Sequence, residues 1–293
     1  MFIIFLYNAQ RIDGSSPFSN ELSGGKLMKR KKNVVLISII VLFAIAFLCA
    51  CAYVVIKGVL NSENRNEYNN IASSYAGELS QSQSSTEITA PTQIDIKKAE
   101  NPVDFDSLIK QNPDIYAWIY IPETNINYPV CRHASDDNFY LDHDIYKNYS
   151  YAGAIYSQFC NSRDFDDRVT VLYGHNMADG SMFANLHKFR DKDFFDKNKY
   201  LYIYTESRKL TYEVVSAFVY DDRHIMNSFD FSDDKVFKDY LDMISNPRSV
   251  SSNTREGVNL DIDDNIVVLS TCLNSGEGRY LVQGVLINDE QTK

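Results

Sequence analysis

Residues 265–287 read Asn265-Ile-Val-Val-Leu-Ser-Thr-Cys272-Leu-Asn-Ser-Gly-Glu-Gly-Arg279-Tyr-Leu-Val-Gln-Gly-Val-Leu-Ile287. Two apolar runs rich in β-branched residues flank a Gly-rich turn, the pattern of two strands joined by a tight connection. The first strand, 265–270, runs into Cys272, and the second opens on Arg279. An antiparallel return sets Arg279 close beside Cys272. A guanidinium there favours the thiolate over the thiol. It can also hold the oxyanion formed when that thiolate attacks a carbonyl. Such chemistry wants a histidine as general acid and base.

Working outward, residues 116–121, 127–130, 152–157, 169–173, 200–204 and 210–220 carry the same β-branched and aromatic signature between turn residues. With the first pair they make eight short strands, the mark of a sandwich or barrel. Helical inserts punctuate them. Residues 104–110 form a short helix with acidic residues in its first turn, which suits the helix dipole. Residues 181–195 hold two short helices. In 232–245, Val236, Phe237, Tyr240, Leu241 and Ile244 fall on one helical face. Ser232 is the expected N-cap there, and Asn246-Pro247 ends the helix.

Five histidines compete for the acid–base role. His175 follows Val171-Leu-Tyr-Gly174, where a strand ends and glycine breaks it, so its side chain is placed to face a cleft. His133, His143, His187 and His224 lie in polar, less defined surroundings. Of the five cysteines, Cys49 and Cys51 lie in an apolar run near the N-terminus. Cys131 and Cys160 could pair, but no spacing demands it, and buried free thiols are the expectation. No Cys-x-x-Cys exists and no metal or other cofactor is implied; Asp261-Ile-Asp-Asp264 reads as a solvated acidic turn.

Residues 34–56 read VVLISIIVLFAIAFLCACAYVVI, longer than the ~20 residues that cross a bilayer as a helix. Lys29-Arg30-Lys31-Lys32 sits directly before the run, so the positive-inside rule leaves the N-terminus, 1–33, in the cytoplasm and the remainder outside. Leu48-Cys49-Ala50-Cys51 loosely resembles a lipobox, but the chain stays apolar through Ile56, so an uncleaved signal anchor is the expectation. Met28 before the basic cluster has the look of a natural start, with 1–27 not translated. Residues 57–100 are rich in Ser, Asn, Gln and Glu and read as a stalk, with a short helix allowed at 61–75. The folded domain is expected over 101–293. The net charge of −10 becomes more negative once Arg11, Lys26 and the basic cluster are set aside. That excludes a nucleic-acid partner, which needs a basic footprint.

Leu172-Tyr-Gly-His-Asn-Met177, then Leu269-Ser-Thr-Cys272, then a strand opening on Arg279, after an N-terminal anchor, closely resemble the sortase family. These are membrane-anchored cysteine transpeptidases of Gram-positive bacteria. Residues 112–130, Asn138-Phe-Tyr-Leu-Asp-His-Asp144, Ala152-Gly-Ala-Ile-Tyr156 and the helix before the penultimate strand look like class B. The Asp-Pro-aromatic lid of class C is not found. The connection from Cys272 to Arg279 is shorter than in some class B members.

The resemblance implies an eight-stranded sortase-like β-barrel with an N-terminal helix, behind a single transmembrane helix. It implies that Cys272 attacks the Thr carbonyl of a C-terminal sorting signal in surface proteins, that His175 protonates the leaving amine, and that Arg279 holds the oxyanion or the signal backbone. A peptidoglycan precursor or stem-peptide amine then resolves the thioacyl-enzyme. By matching position, Ser270 and Tyr173 line the groove, and Leu141, Ile225 and Met226 contact the signal's upstream residues. Two rival readings stay open: a hydrolase using the same triad, and a surface module without catalysis.

Overall fold

The computed structural model describes residues 20–76, 79, 100–273 and 277–293. The chain forms two compact units, one through Val59 and one from Leu60 to Lys293. The suggestion that 1–27 is untranslated lies largely outside the described residues, as does the low-complexity stretch 80–86. In the first unit, helix α1 begins at Asn20. Val34 to Leu60 are exposed on every face, including Phe43 and Phe47. Only here is a described helix long and apolar enough to cross a membrane.

α1 (Asn20–Tyr75) continues into the second unit. There it includes the short helix allowed at 61–75, which the sequence reading placed in a stalk over 57–100. Tyr68 and Ile71 are each 3% exposed and belong to the main core. Tyr68 Oη donates to Gly153 O at 2.7 Å, and its ring meets Tyr128 edge-on at 5.5 Å. The folded domain therefore begins some forty residues before Asn101, at Leu60.

The strands are β1 (Ile115–Tyr120), β2 (Asn127–Cys131), β3 (Ile155–Tyr156), β4 (Val169–Tyr173), β5 (Tyr200–Thr205), β6 (Arg208–Tyr220), β7 (Ser252–Thr254), β8 (Ile266–Cys272) and β9 (Arg279–Gln291). Eight of them close into a barrel in the order β5-β1-β2-β3-β4-β8-β9-β6, with β6 returning to β5. β2–β3 and β4–β8 run parallel; the other pairs are antiparallel. β7 is a ninth strand that the sequence reading did not contain. It pairs with Ser216–Phe218 of β6, beyond the stretch of β6 that serves β5. β3 is shorter than expected because Gly153, at φ +59°, turns the chain just before it.

β8 shows why an unbroken apolar run can be a strand. Val267 and Leu269 enter the main core, while Ile266 and Val268 enter a second one on the other face. Side chains alternate across a strand, so a run buried on both faces loses its polar positions. The second core is capped by helix α5 (Asp234–Ser245), which buries Phe237, Tyr240, Leu241 and Ile244. Each such side chain stabilises by about 1.5–3 kcal/mol. The N-cap is Asp233, not Ser232: Asp233 accepts from the Lys235 and Val236 amides, while the Ser232 hydroxyl donates to Asp230. Helix α2 (Phe105–Gln111) is capped by Asp104. The expected helical pair at 181–195 is a 3-10 segment, Phe183–Arg190, followed by α3 (Lys192–Lys197).

Candidate active site

Cys272 is the last residue of β8 and Arg279 the first of β9, and the two are register partners. Arg279 Nη1 lies 3.6 Å from Cys272 Sγ. The turn between them is closed by Leu273 N donating to Gly278 O at 3.4 Å. Gly278 holds φ +83°, a conformation side chains disfavour. A Cβ there would sit 2.7 Å from Tyr220 O. Glycine thus lets Arg279 pair with Cys272 on one side and Tyr220 on the other.

His175 reaches the same end of the barrel from β4. β4 and β8 are parallel with Tyr173 beside Ser270, so two residues further on, His175 and Cys272 leave the sheet at one level. Gly174 N donates to Ser270 O at 3.2 Å, keeping the register to that point. His175 Nε2 lies 2.7 Å from Leu141 O. A carbonyl only accepts, so Nε2 carries the proton and Nδ1 is left to take another. The imidazole stacks on Tyr151, 10° from parallel at 5.9 Å.

The other expected residues divide. Ser270 is buried beside Tyr173. Tyr173 is half-buried, stacks on Tyr156 at 5.5 Å and reaches His224 Nε2 at 3.4 Å; burial pushes its hydroxyl up. Leu141 is 44% exposed and supplies the carbonyl that holds His175. Met226 lines a cleft of about 710 Å³ with Cys160, Arg168 and Phe229. Ile225, on the short helix α4 (Ile225–Ser228), is only 4% exposed and packs in the second core. Cys131 and Cys160 are both free, the first buried and the second exposed. Asp261 and Asp264 close their own turn, Asp264 accepting from Asp261 N.

Two further residues meet Cys272; the sequence reading passed over His187 in favour of His175 and gave Asn176 no role. Asn176 Nδ2 and His187 Nε2 each lie 3.1 Å from Cys272 O. His187 arrives on the 3-10 segment, and nothing local in Asn185-Leu-His187 signals a contact so distant in the chain.

A family model described as the sortase domain matches residues 119–287. The chain is 36% identical to sortase B of Listeria monocytogenes over 61% of its own length and 72% of the relative's. It is 30% identical to sortase B of Staphylococcus aureus, over 57% of this chain and 67% of that one. The crystal structure of Clostridium perfringens sortase B superposes with TM-score 0.58 and 32% identity, covering 63% of this chain and all of that one. A Staphylococcus aureus sortase B–substrate complex superposes with TM-score 0.64 and 25% identity, covering 78% and 99%. A cysteine–arginine pair at the rim of such a barrel, matched over this span, leaves one conclusion: the chain belongs to the sortase family and is a class B-like cysteine transpeptidase.

Proposed function

We propose that Cys272, His175 and Arg279 carry out a two-step acyl transfer on surface proteins with a C-terminal sorting signal. The Arg279–Cys272 contact of 3.6 Å is the observation that supports this best. The guanidinium stands beside the sulfur and can hold the oxyanion as charge moves from sulfur to oxygen. Thiolate attack on the Thr carbonyl carbon forms the C–S bond. Collapse of the oxyanion breaks the C–N bond, and protonated His175 gives its Nδ1 proton to the leaving amine. An incoming amine attacks the thioester, gives a proton back to His175, and expels the Cys272 thiolate. Two moderate barriers replace one high one.

The acceptor in this reading is an amine of a peptidoglycan precursor or stem peptide. Residues 34–56 cross the membrane with the N-terminus cytoplasmic, so the domain from Leu60 faces the outer surface. Holding enzyme and both substrates at one membrane raises their effective concentration. Tyr173 and Leu141 line the groove beside the nucleophile, with Ser270 buried next to Tyr173.

The test uses the full chain in detergent with Leu-Pro-x-Thr-Gly, Asn-Pro-x-Thr-x and Ser-Pro-x-Thr-Gly peptides, with and without triglycine or diaminopimelate, read by mass spectrometry. Cleavage after Thr that is lost in Cys272→Ala, together with an amine adduct, is the expected result. Cleavage that yields only acid assigns hydrolysis. Peptide cleavage that survives Cys272→Ala refutes the proposal.

A further inference from the structure

The backbone carbonyl of Cys272 is held by two side chains from outside its own hairpin. Leu273 N bonds Gly278 O, so Cys272 and Arg279 form the adjoining pair that exchanges no hydrogen bonds across β8 and β9. The Cys272 carbonyl therefore points away from β9, toward the side that β4 occupies lower down. There the parallel ladder has run out. Its final rung is Gly174 N to Ser270 O, and the next would bring Asn176 N to Cys272 O. The chain has turned aside at Asn176, which pairs with Met182 instead. Left alone, the last peptide of the nucleophile's strand would have no partner on that side.

The Asn176 amide and the His187 imidazole fill that place, each at 3.1 Å. A carbonyl oxygen has two lone pairs, and both are taken. Because the carbonyl accepts, His187 carries its proton on Nε2. Its Nδ1 is buried without a hydrogen-bond partner, and burial pushes the ring below the ordinary histidine value, so it stays neutral. The His187 ring also packs on Tyr280 at 5.0 Å, the residue next to Arg279, and the Arg190 guanidinium lies 4.9 Å from that same Tyr280 ring. The 3-10 segment thus grips both ends of the hairpin that carries the sulfur and the guanidinium.

We propose that His187 and Asn176 are positioning residues for acyl transfer, clamping the Cys272 carbonyl so that Sγ keeps its place beside Arg279. The proposal rests on the reading of Cys272 as the nucleophile. The donors act on the peptide plane rather than on substrate, so their loss falls on the chemical step.

The full chain in detergent is assayed on the sorting peptide that it cleaves, and Cys272 is alkylated with iodoacetamide as a readout without peptide. His187→Phe keeps a ring on Tyr280 without the donor. His187→Gln restores a donor without the ring. Asn176→Leu keeps the size without the donor. His187→Phe and Asn176→Leu are expected to lower kcat about tenfold or more with KM within about twofold, since ångström misplacement of reacting groups costs up to ~100-fold. Alkylation slows with them, and His187→Gln recovers most of the lost kcat. Wild-type kcat in His187→Phe, or equal losses in His187→Phe and His187→Gln, overturns the proposal. Should His187→Phe not fold, wild-type kcat in Asn176→Leu overturns it in the same way, and a tenfold loss there with His187→Gln near wild type supports it. Full cleavage by Cys272→Ala would instead sink the nucleophile assignment beneath it.

Discussion

Gly174→Ala tests how tightly the barrel holds the turn into His175. A Cβ at Gly174 would lie 2.6 Å from Ile155 Cδ1, 2.7 Å from Phe183 Cγ and 2.8 Å from Phe183 Cδ2. Carbon atoms in contact sit about 3.5–4.0 Å apart, so something must move by nearly an ångström. Ile155 and Phe183 are fully buried, so any shift is passed on to packed neighbours. Forced overpacking of this kind costs about 1–3 kcal/mol. At roughly 2–4 °C per kcal/mol for a domain of this size, the melting temperature falls by about 4–8 °C for a mid-range cost. The displacement also reaches the site. Phe183 N donates to His175 O at 2.9 Å, so Phe183 cannot retreat without drawing on the histidine's own peptide. A shift of an ångström at His175 costs up to ~100-fold in kcat. Thermal unfolding by circular dichroism and steady-state transfer kinetics read the two effects separately. An unchanged melting temperature with unchanged kcat would refute the reasoning. A lower melting temperature with wild-type kcat would show the strain relieved on the Ile155 side and His175 uncoupled from it.

Other perturbations bear on other parts of the argument. Arg279→Lys replaces a planar fork 3.6 Å from Sγ by a point charge and is expected to lower kcat/KM by roughly 10²–10³; transfer at the wild-type rate would remove the guanidinium from the reaction. Tyr68→Ala deletes a buried ring and its bond to Gly153 O, and denaturant unfolding should show a loss of about 3 kcal/mol or more. A loss below about 1 kcal/mol would mean that the helix beyond Leu60 is not part of the folded domain. Burial alone would raise the Asp114 carboxyl, but hydrogen bonds from Lys147 and Tyr140 outweigh it and hold the group below the usual carboxylate range. Its folded value is thus lower than its unfolded one, so it stabilises above about pH 4 and that contribution is lost as pH falls through the folded value. Asp114→Asn should be less stable at pH 7 and should narrow its gap to the wild type in acid; a gap independent of pH would contradict this.

The parts of the fold legible in the sequence are those with local causes. The pairing of Cys272 with Arg279 follows from one hairpin, and β4 ending before His175 follows from one glycine. α5 was visible because its buried residues recur at helical spacing, whereas its cap was displaced by one residue because Ser232 spends its hydroxyl on Asp230. β7 carried no signal: Ser252-Asn-Thr254 is polar, has no alternation, and is a strand only because β6 overhangs β5. Tyr68 and Ile71 were hidden for another reason. They are isolated apolar residues in a polar stretch, and their burial comes from the domain they dock against, not from their neighbours. Ile225 shows the same limit from the other side, since its position beside Met226 does not reveal that one faces a cleft and the other a core.

The same contrast between local and long-range causes separates the two halves of the chemistry. Cys272 and Arg279 stand on strands whose neighbours are buried on both faces, with Tyr280 and Leu281 almost fully enclosed. In the proposed reaction the cation and the sulfur are therefore carried by strands enclosed on both faces, as preorganised stabilisation requires. His175 is held differently. Its ring rests on Tyr151, 58% exposed, and on the carbonyl of Leu141, 44% exposed. A proton carrier in acyl transfer has two partners in turn, a leaving amine and an incoming one, and they need not occupy the same point. In the proposed reaction, sulfur and guanidinium on enclosed strands, with an imidazole resting on exposed groups, suit an acyl centre that stays put while the amine changes.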